Sequence, residues 1–414
     1  MKDIRTLLRS LGLAAALAAA VALLPGTPAF AQAKQTNSAK LAKPLKEAQD
    51  ALKAKKFAEA IAKLKEADGT AGKTPYDQYL INDMLTFSYI RTQDYADAAR
   101  TLEAEIDSGF VPQADMAQKV RGLAEIHYQL KNYDKAIEFG NRAIKGGFGD
   151  EELRKLVGQA YYLKGDWKGT LRFEEGIVDG VVKGGGTPGS ESLQLILSAC
   201  VKLEDRGCET RALEKLVTYY PKPDYWYQLL YGLTKQTANS DANTLQTFRL
   251  MSEVDVLKSP DDYTEMAQLA LEAGSPGEAQ QILEKGFQKN VFNDQRSKDK
   301  NQRLLAKAKQ LAATDQASLA KNAKEADASP TGGKNVGMGL AYLGYQQYQK
   351  AADELSKGIS KGGLRNPPEA ELLLGIAQLK AGHKDDAVKA FHAVKGDPVL
   401  EKIASLWVLH ARQA

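Results

Sequence analysis

The side chains best suited to catalysis or metal binding are few and widely separated in this sequence. Its four histidines are His127, His383, His392 and His410. A nucleophilic enzyme needs a nucleophile with a base in reach, and a zinc site needs at least three protein ligands. The motifs that assemble such groups, HExxH, CxxC and GxSxG, are absent. The sequence therefore predicts no catalytic residue and no metal site, and we do not expect an enzyme.

A glycine-rich segment, GGGTPGS at residues 184–190, differs from a phosphate-binding loop. A P-loop carries a lysine directly after its last glycine, where it reaches the β and γ phosphates. Ser190 stands there instead. We interpret the segment as a flexible connection, and no cofactor is predicted.

Two cysteines, Cys200 and Cys208, flank a predicted junction between two helices. The intervening helix and turn can hold their Cα atoms farther apart than the roughly 4.4–6.8 Å that a disulfide spans. A disulfide between them is left open. The favoured interpretation is a buried thiol at Cys200 and a surface thiol at Cys208.

The elements that would position any site follow an internal repeat. Three segments, KKFAEAIAKL, QDYADAARTL and KNYDKAIEFG, each place an aromatic residue three positions before an alanine. These alanines, Ala60, Ala98 and Ala136, recur at intervals of 38 residues, and Thr170 follows after 34. A recurrence every 34 to 38 residues indicates a repeated supersecondary unit.

The half-unit before each alanine fits the same pattern. In LVGQAYYLKGDW, the small residue Gly158 and the aromatic Tyr161 precede Gly165. Small side chains on both helices allow two helix backbones to cross at close range. The pattern resembles the tetratricopeptide repeat, which implies an all-α fold, a right-handed superhelix (α-solenoid) of stacked helix-turn-helix units.

Further copies continue along the chain. They are centred on Ala212, Ala279, Ala351 and Ala387, which makes eight clear units. A degenerate unit is predicted near Leu245, and the Lys- and Ala-rich stretch 294–328 predicts one long polar helix. The amphipathic segment 399–413 is expected to cap the last unit, because a terminal unit has no neighbour on which to bury its apolar face.

Four regions follow from this pattern. We predict a leader at 1–31, an N-terminal and central repeat array at 36–292, a polar helical connecting segment at 293–330, and a C-terminal repeat pair with a capping helix at 331–414.

The leader has the features of a secretory signal peptide. Lys2, Arg5 and Arg9 precede the apolar run 11–24. A run of about fourteen residues is too short to span a bilayer of roughly 30 Å as a helix. We expect cleavage after Ala31, with Ala33 as the second choice, and hence a periplasmic protein without membrane insertion. An uncleaved anchor is the less favoured alternative.

Two longer segments carry a second resemblance. LEKLVTYYPKPDYW at 213–226 and GGLRNPPEAELLLGIAQLKAG at 362–382 resemble a group of exported proteobacterial tetratricopeptide proteins. The resemblance implies the same compartment and fold. The resemblance implies no particular activity for this chain.

Charge limits the kind of partner. The formal net charge is +4, and removing residues 1–31 takes away three basic residues and one acidic residue, which lowers it to +2. Nucleic-acid binders usually show a strong basic excess, because phosphate neutralisation supplies much of their affinity. We therefore predict a protein or peptide partner and no nucleic acid, and leave the oligomeric state open.

The resemblance implies a concave groove lined by the first helix of each unit. In the third and fourth units the predicted groove residues are Arg121, Glu125, Tyr128, Lys155, Gln159 and Tyr162. Basic groups and tyrosine rings there could hold an extended peptide. A solvated groove with ordinary surface residues is an equal alternative.

The corresponding groove positions of the last two units are apolar. They are Leu340, Leu343, Leu372, Ile376 and Leu379. Exposed together, they would form a larger apolar patch than soluble monomers usually carry. We expect the 294–328 segment to cover them, with a partner helix as the alternative.

The sequence supports three hypotheses for function. The first is a periplasmic interaction scaffold that supports an envelope complex, and the second is a chaperone-like carrier of exported polypeptides. The third is an enzyme with an unrecognised site. We favour the scaffold.

Overall fold

The computed structural model describes residues 38–413, and within this range the chain forms twenty α-helices and no β-strand. The predicted all-α fold is confirmed. The predicted leader, its cleavage sites and the localisation that depends on them lie outside the described residues. None of the helices in the described range combines the length and apolar character needed to cross a membrane.

The chain folds as two compact units, the first ending at Asp205 and the second beginning at Arg206. The predicted four-region division stays a prediction, and the two units are described separately below.

The described part of the first unit, residues 38–205, contains nine helices. They are α1 (Ala42–Lys53), α2 (Phe57–Asp68), α3 (Pro75–Thr92), α4 (Tyr95–Asp107), α5 (Gln113–Gln129), α6 (Tyr133–Ala143, followed by a π-helical turn at Ile144–Phe148), α7 (Glu151–Lys164), α8 (Trp167–Lys183) and α9 (Ser190–Lys202). Each helix packs on the next, so that α1/α2, α3/α4, α5/α6 and α7/α8 are helical hairpins. The first helix α7 also touches the first helices α5 and α9.

Local sequence signals set the ends of these helices. Helix α3 begins with a capping box in which Thr74 and Asp77 each accept from the other's backbone N–H, with Pro75 at the first helical position. Helix α7 begins where Asp150 accepts from the Leu153 N–H, and it ends at Gly165, whose φ is 83°. A left-handed residue at this position satisfies the last carbonyls of the helix at little cost when it is glycine.

The residues that marked the repeat lie at the helix crossings. The three alanines of the first units and Thr170 are all fully buried in the second helix of their hairpins. Opposite them, a Cβ atom on Gly158 would lie 1.8 Å from Glu174 Oε1, a carboxylate on the next helix. A small residue on each helix is therefore required by the close approach of the two backbones, as the pattern predicted.

The second unit contains eleven helices. They are α10 (Arg206–Tyr219), α11 (Pro223–Thr237), α12 (Asp241–Glu253), α13 (Pro260–Glu272), α14 (Pro276–Gln288), α15 (Gln295–Asp327), α16 (Gly333–Gly344), α17 (Tyr348–Lys361), α18 (Pro367–Lys380), α19 (Lys384–Ala393) and α20 (Pro398–Gln413). The degenerate unit predicted near Leu245 is present as the hairpin α11/α12, with Leu245 buried.

The long polar helix and the C-terminal helix pack on different parts of the second unit, and the C-terminal helix contacts the last hairpin α18/α19 as predicted. Helix α15 packs on α13, α14 and α16, whereas α20 packs on α12, α18 and α19. Two of the predicted groove residues, Leu372 and Ile376 on α18, are buried, while Leu340, Leu343 and Leu379 are half-buried. Helix α15 thus packs on α16, which carries Leu340 and Leu343, whereas α18 packs on α17, α19 and α20. The expectation that the 294–328 segment would cover these apolar positions is therefore corrected for those on α18.

The cysteines also differ from the favoured interpretation. Cys200 in α9 and Cys208 in α10 are both disulfide-bonded, and the described residues contain no free cysteine. Both side chains are buried, including Cys208, which we expected at the surface. A disulfide persists in an oxidising compartment.

Candidate functional site

The six predicted groove residues lie on two neighbouring first helices of the first unit. Helix α5 carries Arg121, Glu125 and Tyr128, and helix α7 carries Lys155, Gln159 and Tyr162. Because α5 and α7 are in contact, with Tyr128 hydrogen-bonded to Gln159, the six side chains share one face, which we call the first-helix face. Gln159 is exposed, Glu125 is buried, and the other four are half-buried.

The basic residues of this face are already paired with carboxylates. Arg121 Nε donates to Glu125 Oε1 at 2.8 Å, and its Nη1 also pairs with Asp150 at the start of α7. Lys155 Nζ lies 2.9 Å from Glu151 and 3.3 Å from Glu191 on α9. These ion pairs join neighbouring units, so the two cations are not free to take an acidic partner group without losing a contact.

The tyrosines form a matching row of hydrogen bonds. Tyr128 Oη donates to Gln159 Oε1 at 3.0 Å, and Tyr162 Oη lies 2.7 Å from Ser198 Oγ on α9. The Tyr162 ring also meets Trp167 edge to face, with centroids 4.9 Å apart. The hydroxyls thus bond to the next first helix, while the half-buried rings keep an accessible apolar side.

Burial and neighbouring positive charge shift the pKa values of the carboxyl groups of the face in opposite directions. Burial raises the pKa of Glu125 above its usual value, although the Arg121 guanidinium opposes the rise. At Asp150, burial is outweighed by the Leu153 N–H and the Arg121 guanidinium, which together hold the pKa below its ordinary value. The Asp150 charge is thereby stabilised at the rim of the face.

A buried charge cluster, which was not predicted from the sequence, extends the face toward α3. Lys119 Nζ donates to Asp83 Oδ1 at 2.9 Å and also pairs with Glu105, which is fully buried in α4. Burial is the main cause that raises the pKa of Glu105 to about 8 and that of the nearby Tyr79 to about 12. The repeat spacing could have indicated Asp83, because it lies 38 residues before Arg121, which is the interval between the repeat alanines.

The histidines do not converge. His127 is buried and stacks on Phe139 with centroids 5.7 Å apart, and burial lowers the pKa of His127. His383 Nδ1 bonds to Gln378 Oε1, and His410 faces Glu253. No group of three or more potential metal ligands comes together in residues 38–413.

The second unit contains a cavity of about 590 Å³. Its walls come from α12, α13, α14, α18 and α20 together with the α16/α17 hairpin. The lining residues include charged groups such as Arg249 and Glu253 and apolar ones such as Leu343, Ile376 and Trp407. Leu343 and Ile376 are among the groove positions predicted from the sequence, but the cavity itself was not predicted, because it forms only where α20 returns to α12.

The comparisons with known proteins agree with the repeat. A family model described as tetratricopeptide repeat matches residues 88–151, which cover the end of α3 through the start of α7. No curated protein matches the chain. Together with the hairpins and their buried small residues, the match shows tetratricopeptide repeats in this part of the chain.

The chain also matches solved structures at low identity, including the following three. The complex of Naa15 and Naa10 bound to HypK-THB matches at 15% identity and a TM-score of 0.40, over 87% of this chain and 59% of that chain. A tetratricopeptide repeat protein from Parabacteroides merdae matches at 11% identity and a TM-score of 0.28, over 80% and 98%. The P58(IPK) TPR domain matches at 11% identity and a TM-score of 0.24, over 91% and 98%.

These likenesses are too remote to assign a partner to this chain. The chain spans 59% of the Naa15/Naa10 structure's matched chain, so that complex's properties do not transfer to it. The tetratricopeptide repeats themselves support a protein-interaction scaffold, a class that is generally not catalytic.

Proposed function

We propose that this protein is an exported interaction scaffold that holds a protein partner of an envelope complex on the first-helix face. The observation that carries the proposal is the row of half-buried tyrosine rings on α5 and α7 beside paired charges. Aromatic rings bury a large area at low entropy cost, and they are enriched at the centres of protein interfaces.

The disulfide at Cys200 and Cys208 and the signal-like residues 1–31 support export. The paired state of Arg121 and Lys155 favours a partner that is recognised by apolar and polar contacts rather than by a cluster of acidic groups. Such a partner would leave the existing ion pairs at the rim of the face in place.

The test is crosslinking in the periplasm followed by mass spectrometry. If the protein is a scaffold, the wild-type protein should crosslink to one defined set of envelope proteins. We expect Tyr128→Ala combined with Tyr162→Ala to reduce that capture at least several-fold, because both rings are removed. The same substitutions at Tyr225 and Tyr231 on α11, which keep the face intact, should leave capture unchanged.

A second pair of variants separates the rings from their hydroxyl groups. Tyr128→Phe with Tyr162→Phe removes the hydrogen bonds to Gln159 and Ser198 but keeps the apolar surface, so capture should be largely retained. Undiminished capture by the alanine pair would remove the two tyrosines from the site. Recovery of many unfolded exported proteins, in place of a defined set, would favour the carrier function.

A further inference from the structure

The long helix α15 of the second unit carries a strong local excess of positive charge. Residues 295–314, which form its first half, contain six basic residues and one acidic residue, a net charge of +5. The formal net charge of the whole chain is only +4, so all the other residues together carry −1. The positive charge of this protein is therefore concentrated on one segment of one helix.

Four of these basic side chains lie in a row along one face of α15, and we call them the basic stripe. They are Arg296, Lys300, Arg303 and Lys307. Their intervals of four, three and four residues place side chains on the same face of an α-helix, in a row about 16 Å long. All four are exposed, whereas α15 buries a different face, which includes Ala308 and Ala312.

The cations of the basic stripe have no partner within the part of the chain that the structure describes. No side chain of the stripe forms an ion pair or a hydrogen bond with another residue of 38–413. The neighbouring charges of the helix are engaged elsewhere. Lys309 pairs with Glu284 at 2.9 Å. The one acidic residue of the segment, Asp299, accepts from Gln295 at 2.8 Å. The stripe can therefore bind external anions without breaking an existing contact.

Two features of the surroundings favour the phosphate groups of lipids over those of nucleic acid. Residues 293–341 contain no aromatic side chain, so bases would find nothing on which to stack. The next position along the stripe, four residues after Lys307, is Leu311, which is 43% exposed. An apolar side chain beside cations fits the boundary between lipid headgroups and acyl chains.

We propose that the basic stripe docks the second unit onto the surface of a membrane that contains anionic phospholipids. The guanidinium and ammonium groups donate to the headgroup phosphates, as clusters of four to eight Lys or Arg on one helix do at anionic membranes. Such docking inserts no helix into the bilayer. The basic stripe belongs to the second unit and the first-helix face to the first, so this proposal and the proposed scaffold function can fail separately.

The test is sedimentation of the full chain with lipid vesicles. One set is phosphatidylcholine alone, and the other is equal parts of phosphatidylcholine and phosphatidylglycerol. We expect binding to the anionic vesicles to be at least about a hundred-fold stronger at low ionic strength, because each Lys or Arg near an anionic surface contributes about five-fold. Added sodium chloride should weaken this binding, since salt screens the charges.

Two matched variants place the interaction on the stripe. Replacing its four basic residues by glutamine should lower the ratio of anionic to neutral vesicle binding at least about fifty-fold. The control removes the same charge from four separated lysines of the first unit, which are exposed and should change the ratio less than about five-fold. The control substitutions are Lys46→Gln, Lys55→Gln, Lys131→Gln and Lys202→Gln. Residues 1–31 are the same in every variant, so they do not affect the comparison.

Four results would overturn the proposal. Equal binding of the wild-type protein to both kinds of vesicle would exclude recognition of anionic lipid, and equal losses in the two variants would show a dependence on net charge alone. Displacement from the anionic vesicles by inorganic phosphate, but not by sodium chloride of the same ionic strength, would indicate a site for free phosphate. Tighter binding to a DNA duplex than to the anionic vesicles would indicate nucleic acid. Circular dichroism and a thermal melt establish that each variant is folded.

Discussion

At the residue scale, the first unit contains a fully buried carboxyl group with a raised pKa. Glu105 is fully buried, and its charge partner Lys119 is shared with Asp83. Burying a carboxylate is unfavourable unless the geometry of its pair is very good, so burial favours the protonated form. The result is a pKa of about 8 for Glu105 in the folded protein, against 4.5 as the ordinary value.

This shift predicts the sign of a pH dependence. Between pH 4.5 and 8 the folded state holds a proton on Glu105 that the unfolded state has released, so the contribution of Glu105 to stability falls as pH rises through that window. Glu105→Gln, which mimics the protonated form, should reduce the loss of unfolding free energy between pH 5 and pH 8 by roughly 1–3 kcal/mol. Urea unfolding at both pH values measures the difference.

The control for this prediction is Glu138→Gln, which changes an exposed carboxylate on α6. It should leave the pH profile unchanged, because the Glu138 side chain lies at the surface. An unaltered profile for Glu105→Gln would mean that Lys119 keeps Glu105 ionised.

The residue types of the first-helix face were predictable, but their pairing was not. Register along the repeat brought the six predicted residues to one face, as expected for first-helix positions. The partners Asp150, Glu191 and Ser198 lie in neighbouring helices whose separation depends on packing. Their role as a binding site remains a prediction.

At the element scale, the close crossing of paired helices depends on residues without large side chains. In the second unit a Cβ atom on Gly375 of α18 would lie 2.4 Å from the Phe391 ring of α19. Alanine has a higher helix propensity than glycine by about 1 kcal/mol, so packing and propensity act in opposite directions at this position.

We expect packing to prevail at Gly375. Gly375→Ala should lower the free energy of unfolding by about 1–3 kcal/mol, as overpacking does in well-packed cores. Gly232→Ala on α11, where no atom lies within 4 Å of the added Cβ, should instead raise it by about 0.5–1 kcal/mol. Urea denaturation of the two variants tests the opposite signs, and stabilisation by both would contradict the close crossing.

The contacts of α20 show which features of the second unit the repeat pattern of the sequence does not predict. The amphipathic pattern of α20 predicted a capping helix, and α20 does bury Leu406, Trp407 and Val408. It also returns to α10 and α12, with Gln413 donating to the Val217 carbonyl at 2.6 Å and Lys402 pairing with Glu214. Contacts between residues almost two hundred positions apart leave no periodic signal.

At the scale of the whole molecule, one covalent link is added to the repeat architecture. Cys200 and Cys208 are disulfide-bonded, and the loop between them is short. In the loop-entropy description, closing a loop of about eight residues stabilises the folded state by roughly 2 kcal/mol. Shorter loops contribute less because an unlinked chain loses less freedom in closing them.

We therefore expect dithiothreitol to lower the melting temperature of the wild-type protein by several degrees. The double variant Cys200→Ala, Cys208→Ala should melt at the reduced protein's temperature and should not respond to the reductant. A calorimetric scan with and without reductant gives the comparison. Equal melting temperatures for oxidised and reduced wild-type protein would show that the link contributes nothing to stability.

The sequence alone determined the helical class, the repeat unit and the small residues at the helix crossings. These features depend on local propensity and on the spacing of side chains along one helix pair, which the chain order contains directly. Tertiary structure alone decided the pairing of the groove charges, the burial of Glu105, the disulfide and the cavity closed by α20. Each of these depends on the distance between elements far apart in the chain, and that distance follows from how every intervening hairpin packs.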